Sequence, residues 1–167
     1  MIFQNHAVFP WMTVEENIGF GFPETLDKGL KQNIILEHLK LAGLEEKRTA
    51  YPGQLSDGQI QRVALARTLA NNPEVILMDE PYSSLDAYTR EQMQSWLLNV
   101  WSTHKKTIIF VTHNIEEAIF LADRVLLLKN RTFEKEFIVP FDRPRGGEIK
   151  FANEFNQLKH DIHGLLV

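Results

Sequence analysis

Asp79 and Glu80 stand side by side at the end of an apolar run, Val75-Ile76-Leu77-Met78, and Pro81 follows them. Such a run, closed by acidic residues and proline, reads as a buried parallel strand with two carboxylates at its C-terminal end. Ligands of open parallel sheets bind at that end. Successive strand side chains point to opposite sides, so one carboxylate can hold a magnesium ion while the next reaches a water molecule. This division suits phosphoryl transfer, in which a metal neutralises charge and a second group orients the nucleophile. Taken alone, the pattern is more often a strand ending in a solvated acidic turn.

Three further groups stand in order around it. Leu55-Ser56-Asp57-Gly58-Gln59 lies at a helix start. There Gly58 permits close backbone approach, and the free N–H groups of the first turn favour an anion. An ordinary capped helix accounts for these five residues equally well in isolation. Ser83-Ser84-Leu85-Asp86 follows the carboxylates by a short turn, and Thr112-His113 closes the next apolar run. A single histidine there is usually structural, yet His113 falls at the same sheet edge as Asp79 and Glu80, where an imidazole could touch a γ-phosphate.

The elements that must position these residues follow from periodicity. Thr13 and Glu16 read as a capping box opening a helix through about Phe20. Residues 21–28 are a connector, and a helix over Leu30 to Leu41 ends at Gly43. Ser56 or Asp57 caps a helix that stops before Asn71-Asn72-Pro73. Val75 to Met78, Thr107 to Thr112 and Arg124 to Leu128 then read as strands, separated by helices over Ala87 to Thr103 and Ile115 to Leu121. Phe133 to Val139 reads as an edge strand, residues 140–147 as a linker, and Phe151 to Leu166 as a last amphipathic helix. Strands joined by helices predict an α/β fold with a parallel sheet and right-handed crossovers, preceded by a helical segment.

Composition narrows the class. The 167 residues carry 18 Lys plus Arg against 22 Asp plus Glu, a net charge of −4, and 44% hydrophobic residues. This is a globular balance with nothing to suggest binding along nucleic-acid backbones. The absence of cysteine excludes disulfides, thiolate metal sites and a Cys nucleophile. No apolar run approaches the roughly 20 residues that span a bilayer, and the N-terminus has no basic and apolar leader pattern.

The ordered series Gln4, Leu55 to Gln59, Leu77-Met78-Asp79-Glu80-Pro81, Ser84-Leu85-Asp86 and Thr112-His113 resembles the ATP-binding subunit of an ABC transporter. The resemblance runs over essentially the whole chain. It implies a partial P-loop NTPase-like parallel sheet flanked by helices, with an N-terminal helical subdomain. Gln4 would be the Q-loop glutamine, contacting magnesium and the attacking water. Ser56, Gly58 and Gln59 would belong to the signature motif that grips the γ-phosphate of ATP held by the opposite subunit. Asp57 stands where the family usually has a glycine. Asp79 would be the Walker B aspartate holding magnesium, Glu80 the general base, Asp86 a D-loop residue and His113 the switch histidine. The implied segments are 1–72 (Q-loop and helical subdomain), 73–139 (catalytic core part) and 140–167 (linker and C-terminal helix).

Val8 to Ile18 is similar to the region of importer subunits whose groove receives a helix of the membrane protein. Phe9 and Trp11 would suit that contact, since aromatic residues anchor interfaces. They would equally suit packing within the helical lobe. The tail from Pro140 to Arg145 is similar to the nitrate, sulfonate and taurine importer branch. The implied partners are a transmembrane permease subunit and a second ATP-binding subunit, with no nucleic acid, and the implied location is the cytoplasmic face of the plasma membrane.

One departure matters. None of the nine glycines opens a Gly-x-x-x-x-Gly-Lys-Ser/Thr loop, which would cradle the β- and γ-phosphates. ATP and Mg²⁺ binding by these residues alone is therefore expected to be weak or absent. The strand that leads into such a loop would flank the Asp79 strand. Without it, an open apolar edge is expected to drive homo-oligomerisation. Two functions stand: an ATP-hydrolysing importer subunit, truncated by this motif count, or a catalytically silent interaction module that cannot bind ATP alone. A non-transport ABC protein of repair or translation fits less well with the Pro10 to Ile18 segment and with the net charge of −4.

Overall fold

A computed structural model describes residues 8–166, so Gln4 lies outside the described residues. The chain divides into two units, residues 1–90 with 106–109 and residues 91–105 with 110–167.

The first unit opens with helices α1 (Val14–Ile18), α2 (Lys28–Ala42) and α3 (Asp57–Ala70). Thr13 and Glu16 form the expected capping box, and Gly19 ends α1 slightly before the expected position. Asp57 begins α3 and Ser56 caps it, which settles the choice between the two. Gly43 ends α2 in the left-handed conformation at φ 65°, a geometry that glycine adopts without steric cost. Val14, Ile18, Leu39, Leu44 and Val63 form the core of this lobe, with Ala42, Ala66 and Ala70 allowing the helices to approach.

Strand β1 (Val75–Asp79) follows and pairs with β2 (Thr107–Val111). Burial alternates along β1: Ile76 and Met78 are buried, whereas Val75 and Leu77 are 48% and 41% exposed. The expectation of a strand buried on both faces is therefore corrected. Side chains alternate across a strand, and among the described residues only one face of β1 is covered. Ile109 and Val111 of β2 are exposed in the same way.

Helix α4 (Ala87–His104) connects these two strands. In the second unit come helix α5 (Ile115–Leu121), strands β3 (Arg124–Lys129) and β4 (Thr132–Ile138), and helix α6 (Asn153–Leu166) after a short 3₁₀ turn, Gly147–Phe151. β3 does not extend the β1–β2 sheet as the crossover argument expected. It pairs antiparallel with β4, from Arg124 opposite Ile138 to Lys129 opposite Thr132, with a register shift between Leu127 and Leu128. The cause is local. Asn130 and Arg131 hold φ of 51° and 64°, the paired positive values of a two-residue hairpin turn whose twist matches its strands.

The 140–147 stretch is more than a linker. Arg145, whose side chain is 1% exposed, donates from Nη1 to the carbonyl oxygens of Ile119, Phe120 and Ala122. Arg143 donates to the Leu121 carbonyl at 2.6 Å and to Asp123 at 2.8 Å, and stacks on Trp101. Carbonyls at a helix C-terminus lack intrahelical partners, and these arginines satisfy those of α5.

Candidate functional site

Asp79 is the last residue of β1, and the chain turns sharply after it. Glu80 sits at φ 45°, in a left-handed region that non-glycine residues enter at a cost of order 1–3 kcal/mol and that Asn72, Lys105, Asn130 and Arg131 also occupy. The turn is fixed from the other side. Ser83 donates to the Glu80 carbonyl from both its backbone N–H, at 3.2 Å, and its hydroxyl, at 2.9 Å. Pro81, Tyr82 and Leu85 are buried beneath it. Arg90 completes the clamp by donating to the carbonyls of Tyr82 and Leu85. Both carboxylates are half-buried, on a turn held by hydrogen bonds within its own unit.

Asp86 lies beyond this turn and precedes α4. Its carboxylate accepts from the Thr89 N–H at 3.0 Å and the Thr89 hydroxyl at 2.6 Å. The Thr89 hydrogen bonds pull its carboxyl below the ordinary aspartate range. Asp86 thus caps α4, a structural employment that the motif reading did not anticipate.

Ser56 and Gln59 form a closed pair at the start of α3. The Ser56 hydroxyl accepts from the Gln59 N–H at 3.4 Å, and the Gln59 Oε1 accepts from the Ser56 N–H at 3.0 Å. Gly58 is buried in the first turn between them, and Ser56 is exposed. Further along α3, Gln61 is 3% exposed, and neither of its side-chain polar atoms has a hydrogen-bond partner in the described structure. Buried polar groups are ordinarily paired. An isolated glutamine inside a helix carries no sequence signal, and Gln61 escaped the sequence reading for that reason.

His113 belongs to the second unit and is exposed. Thr112 before it and Asn114 after it are both bonded to the buried Glu117 at the start of α5.

The Phe9–Trp11 segment divides between its two possible roles. Phe9 is half-buried, packs on Phe20 at 4.4 Å between ring centroids, and lies under the Arg67 guanidinium. Trp11 is 69% exposed. The residue that shapes the loop is one that sequence reasoning missed. Asn17, fully buried, donates to the carbonyls of Phe9, Met12 and Thr13 and accepts from the Phe9 N–H at 2.8 Å.

Among the described residues no group of three or more His, Asp or Glu side chains could enclose a metal ion. One carboxylate at a strand end nevertheless fits magnesium. That ion keeps several waters and binds through one or two carboxylates together with substrate phosphates, a donor set to which a single half-buried carboxylate such as Asp79 can contribute. No helix among the described residues is long and apolar enough to cross a membrane.

The described helices and strands make an α/β protein. The comparisons are specific. Residues 1–83 match the family model described as ABC transporter. An uncharacterized ABC transporter ATP-binding protein of Methanocaldococcus jannaschii is 47% identical over 99% of this chain and 62% of its own length. The nitrate import ATP-binding protein NrtD of Synechococcus elongatus is 41% identical over 89% of this chain and 56% of its own length. The bicarbonate transport ATP-binding protein CmpD of the same species is 41% identical over 89% and 55%. A solved dimeric ATP-binding cassette, in a post-hydrolysis state bound to ADP and Pi, superposes with a TM-score of 0.68 at 36% identity, over 84% of this chain and 62% of that one. The chain belongs to the ATP-binding cassette family of ABC transporters, and its α/β fold is that of the cassette. It spans about three-fifths of the length of the curated relatives it matches.

Proposed function

We propose that this chain supplies the signature, Walker B, D-loop and switch residues of an ATP-hydrolysing subunit that powers solute import. The observation that carries this reading is the strained turn that presents Glu80 directly after Asp79 at the end of β1. In this reading Glu80 accepts the proton of the attacking water, and Asp79 holds magnesium, which would neutralise phosphate charge when bound. His113 and Gln4 complete the contacts around the γ-phosphate. Ser56, Gly58 and Gln59 face ATP held by a second ATP-binding subunit. Asp86 contributes from the D-loop while capping α4.

The relatives named for nitrate import and bicarbonate transport support the importer branch suggested by the Pro140 to Arg145 tail. Trp11, exposed on a loop held by Asn17, is the anchor proposed for a transmembrane permease subunit, which would bring the protein to the cytoplasmic face of the membrane.

A second reading has its own support. The 167 residues include no Gly-x-x-x-x-Gly-Lys-Ser/Thr loop, so by themselves they would act as an interaction module with little hold on ATP. The test of the first reading uses a cassette completed with such a loop. Glu80→Gln there should retain ATP binding and lose hydrolysis by about 10²–10⁴-fold, the usual contribution of a general base. Hydrolysis persisting near the parent rate would remove Glu80 from that role.

A further inference from the structure

Glu117 is a buried carboxylate that the proposed chemistry does not use. It is 4% exposed and lies on the first turn of α5. Its Oε1 accepts from the Gln94 Nε2 at 3.1 Å, and its Oε2 accepts from the Thr112 hydroxyl at 2.5 Å. Gln94 lies on α4, is 3% exposed, and receives at its own Oε1 the Lys150 ammonium at 3.2 Å. All of these residues belong to the second unit.

The directions of these bonds are forced. A lysine ammonium only donates, so it fixes the Gln94 oxygen toward itself and leaves the Gln94 amide hydrogens facing Glu117. A carboxylate only accepts, so the Thr112 hydroxyl must give Glu117 its single proton. That leaves the Thr112 oxygen lone pairs for the Asn114 N–H, which donates to it at 3.0 Å. The Asn114 side chain in turn accepts from the Glu117 N–H at 3.2 Å. His113 sits between two residues that are both tied to Glu117.

Lys150 is itself an unusual lysine. It lies on the 3₁₀ turn Gly147–Phe151, its side chain is 12% exposed, and its ammonium stands 4.7 Å from the Phe120 ring centroid. It also approaches Glu116 at 3.5 Å and Glu91 at 3.8 Å. A lysine needed only for solubility keeps its head in water. This one is lodged where it determines how an amide must face.

We propose that Lys150 is a positioning residue that, through Gln94 and Glu117, holds the Thr112–Asn114 turn and thereby the orientation of His113. The turn at residues 147–151 is then a control point for His113: a partner or modification that withdraws Lys150 frees Gln94 to rotate and loosens the turn. Its importance for ATP hydrolysis rests on the reading of His113 given above; the mechanical link does not.

The experiment uses the 167-residue chain, with Lys150→Met as the principal variant. Methionine keeps an apolar stem against Phe120 and removes only the donor and the charge. The readouts are the NMR signals of the His113 ring and the hydrogen exchange of the Asn114 amide. Lys150→Met should shift and broaden the ring signals and speed Asn114 exchange about tenfold, the signature of local opening. Lys150→Arg should restore both. Lys159→Met, which breaks the 2.9 Å Lys159–Glu116 pair without touching Gln94, should leave them unchanged. Gln94→Leu provides a second break in the same chain of bonds and should act as Lys150→Met does. Unchanged His113 signals and Asn114 exchange in Lys150→Met would overturn the proposal. So would an acceleration spread equally over α6 and the β3–β4 hairpin. The nucleotide reading fails separately: in a completed cassette, His113 signals that respond to Lys150→Met but not to ATP–Mg²⁺ would keep the link and refute the γ-phosphate contact.

Discussion

The Arg145 Nη1 stands 2.7 Å from the carbonyl oxygen of Ala122, at the C-terminal end of α5. The same guanidinium reaches Ile119 and Phe120 and, on its other edge, the carbonyl of Phe141. Burial lowers the Arg145 pKa, yet an arginine stays protonated through the neutral range. Arg145→Met removes a buried cation and leaves several buried carbonyls without a donor. The expected loss is about 2–4 kcal/mol, since each orphaned buried group costs about 1–3 kcal/mol and some carbonyls will regain water. Arg143→Met should cost less, because the Asp123 carboxylate it pairs with is largely exposed. Urea unfolding of both variants checks the order; equal losses would show that burial of Arg145 adds nothing.

Asn17 makes four hydrogen bonds to the loop that bears Phe9 and Trp11. Asn17→Ala should cost about 1–3 kcal/mol and release the loop, because the Phe9 N–H and the Met12 carbonyl lose their partner, while the Phe9 and Thr13 carbonyls keep the backbone N–H groups of Met12 and Asn17. Proteolysis between residues 9 and 13 should become faster than in the parent chain. Resistance unchanged in a variant of lowered stability would mean that packing of Phe9 on Phe20, rather than Asn17, holds the loop.

Much of this was legible in sequence, for reasons specific to each element. Thr13, Ser56, Gly43 and Pro73 are local punctuation whose chemistry acts within a few residues, so the helix boundaries they mark came out close to the structure. The β3–β4 hairpin was missed because its turn residues, Asn130-Arg131, lack the glycine that usually signals paired positive φ. Period alone could not distinguish a strand covered on both faces from β1, where Val75 and Leu77 remain open. The roles of Arg145, Asn17 and Glu117 depend on partners up to 26 residues away in the chain, and no spacing rule encodes such pairings. Gln4 lies outside the described residues, and its placement as the Q-loop glutamine stays with the proposal.

Glu116 gives a prediction in pH. The hydrogen bond from Lys159 at 2.9 Å is the main reason its carboxyl lies below the ordinary value of about 4.5. A carboxylate whose pKa is depressed in the folded state stabilises the fold fully above the unfolded pKa. That stabilisation is lost as pH falls through the folded value. Lys159→Met should therefore raise the Glu116 pKa toward about 4.5 and flatten the decline of stability below that pH. Carboxyl carbon NMR of Glu116 across pH 2–6, roughly the carboxylate titration range, reads this directly. An unmoved midpoint would show that Lys159 does not hold Glu116 in solution.

Gln61 makes the opposite kind of prediction. Its two buried polar atoms have no partner in the described structure, and an unpaired buried amide destabilises by about 1–3 kcal/mol. Gln61→Leu should therefore raise the unfolding free energy of the 167-residue chain by about 1–2 kcal/mol. A fall in stability would reveal a hydrogen-bonding partner that Gln61 finds in solution.

The central claim is that these residues form the catalytic, signature-bearing side of an ATP site and need a phosphate cradle to hold nucleotide. Calorimetric titration with ATP–Mg²⁺ tests it most directly, on the 167-residue chain and on a chimera that adds the remainder of the Methanocaldococcus jannaschii relative. The chain alone should bind more weakly than about 1 mM, corresponding to only about −4 kcal/mol. The chimera should bind in the micromolar range and hydrolyse ATP in a manner abolished by Glu80→Gln. Micromolar binding by the 167 residues alone, or a folded chimera that binds no ATP, would contradict the account.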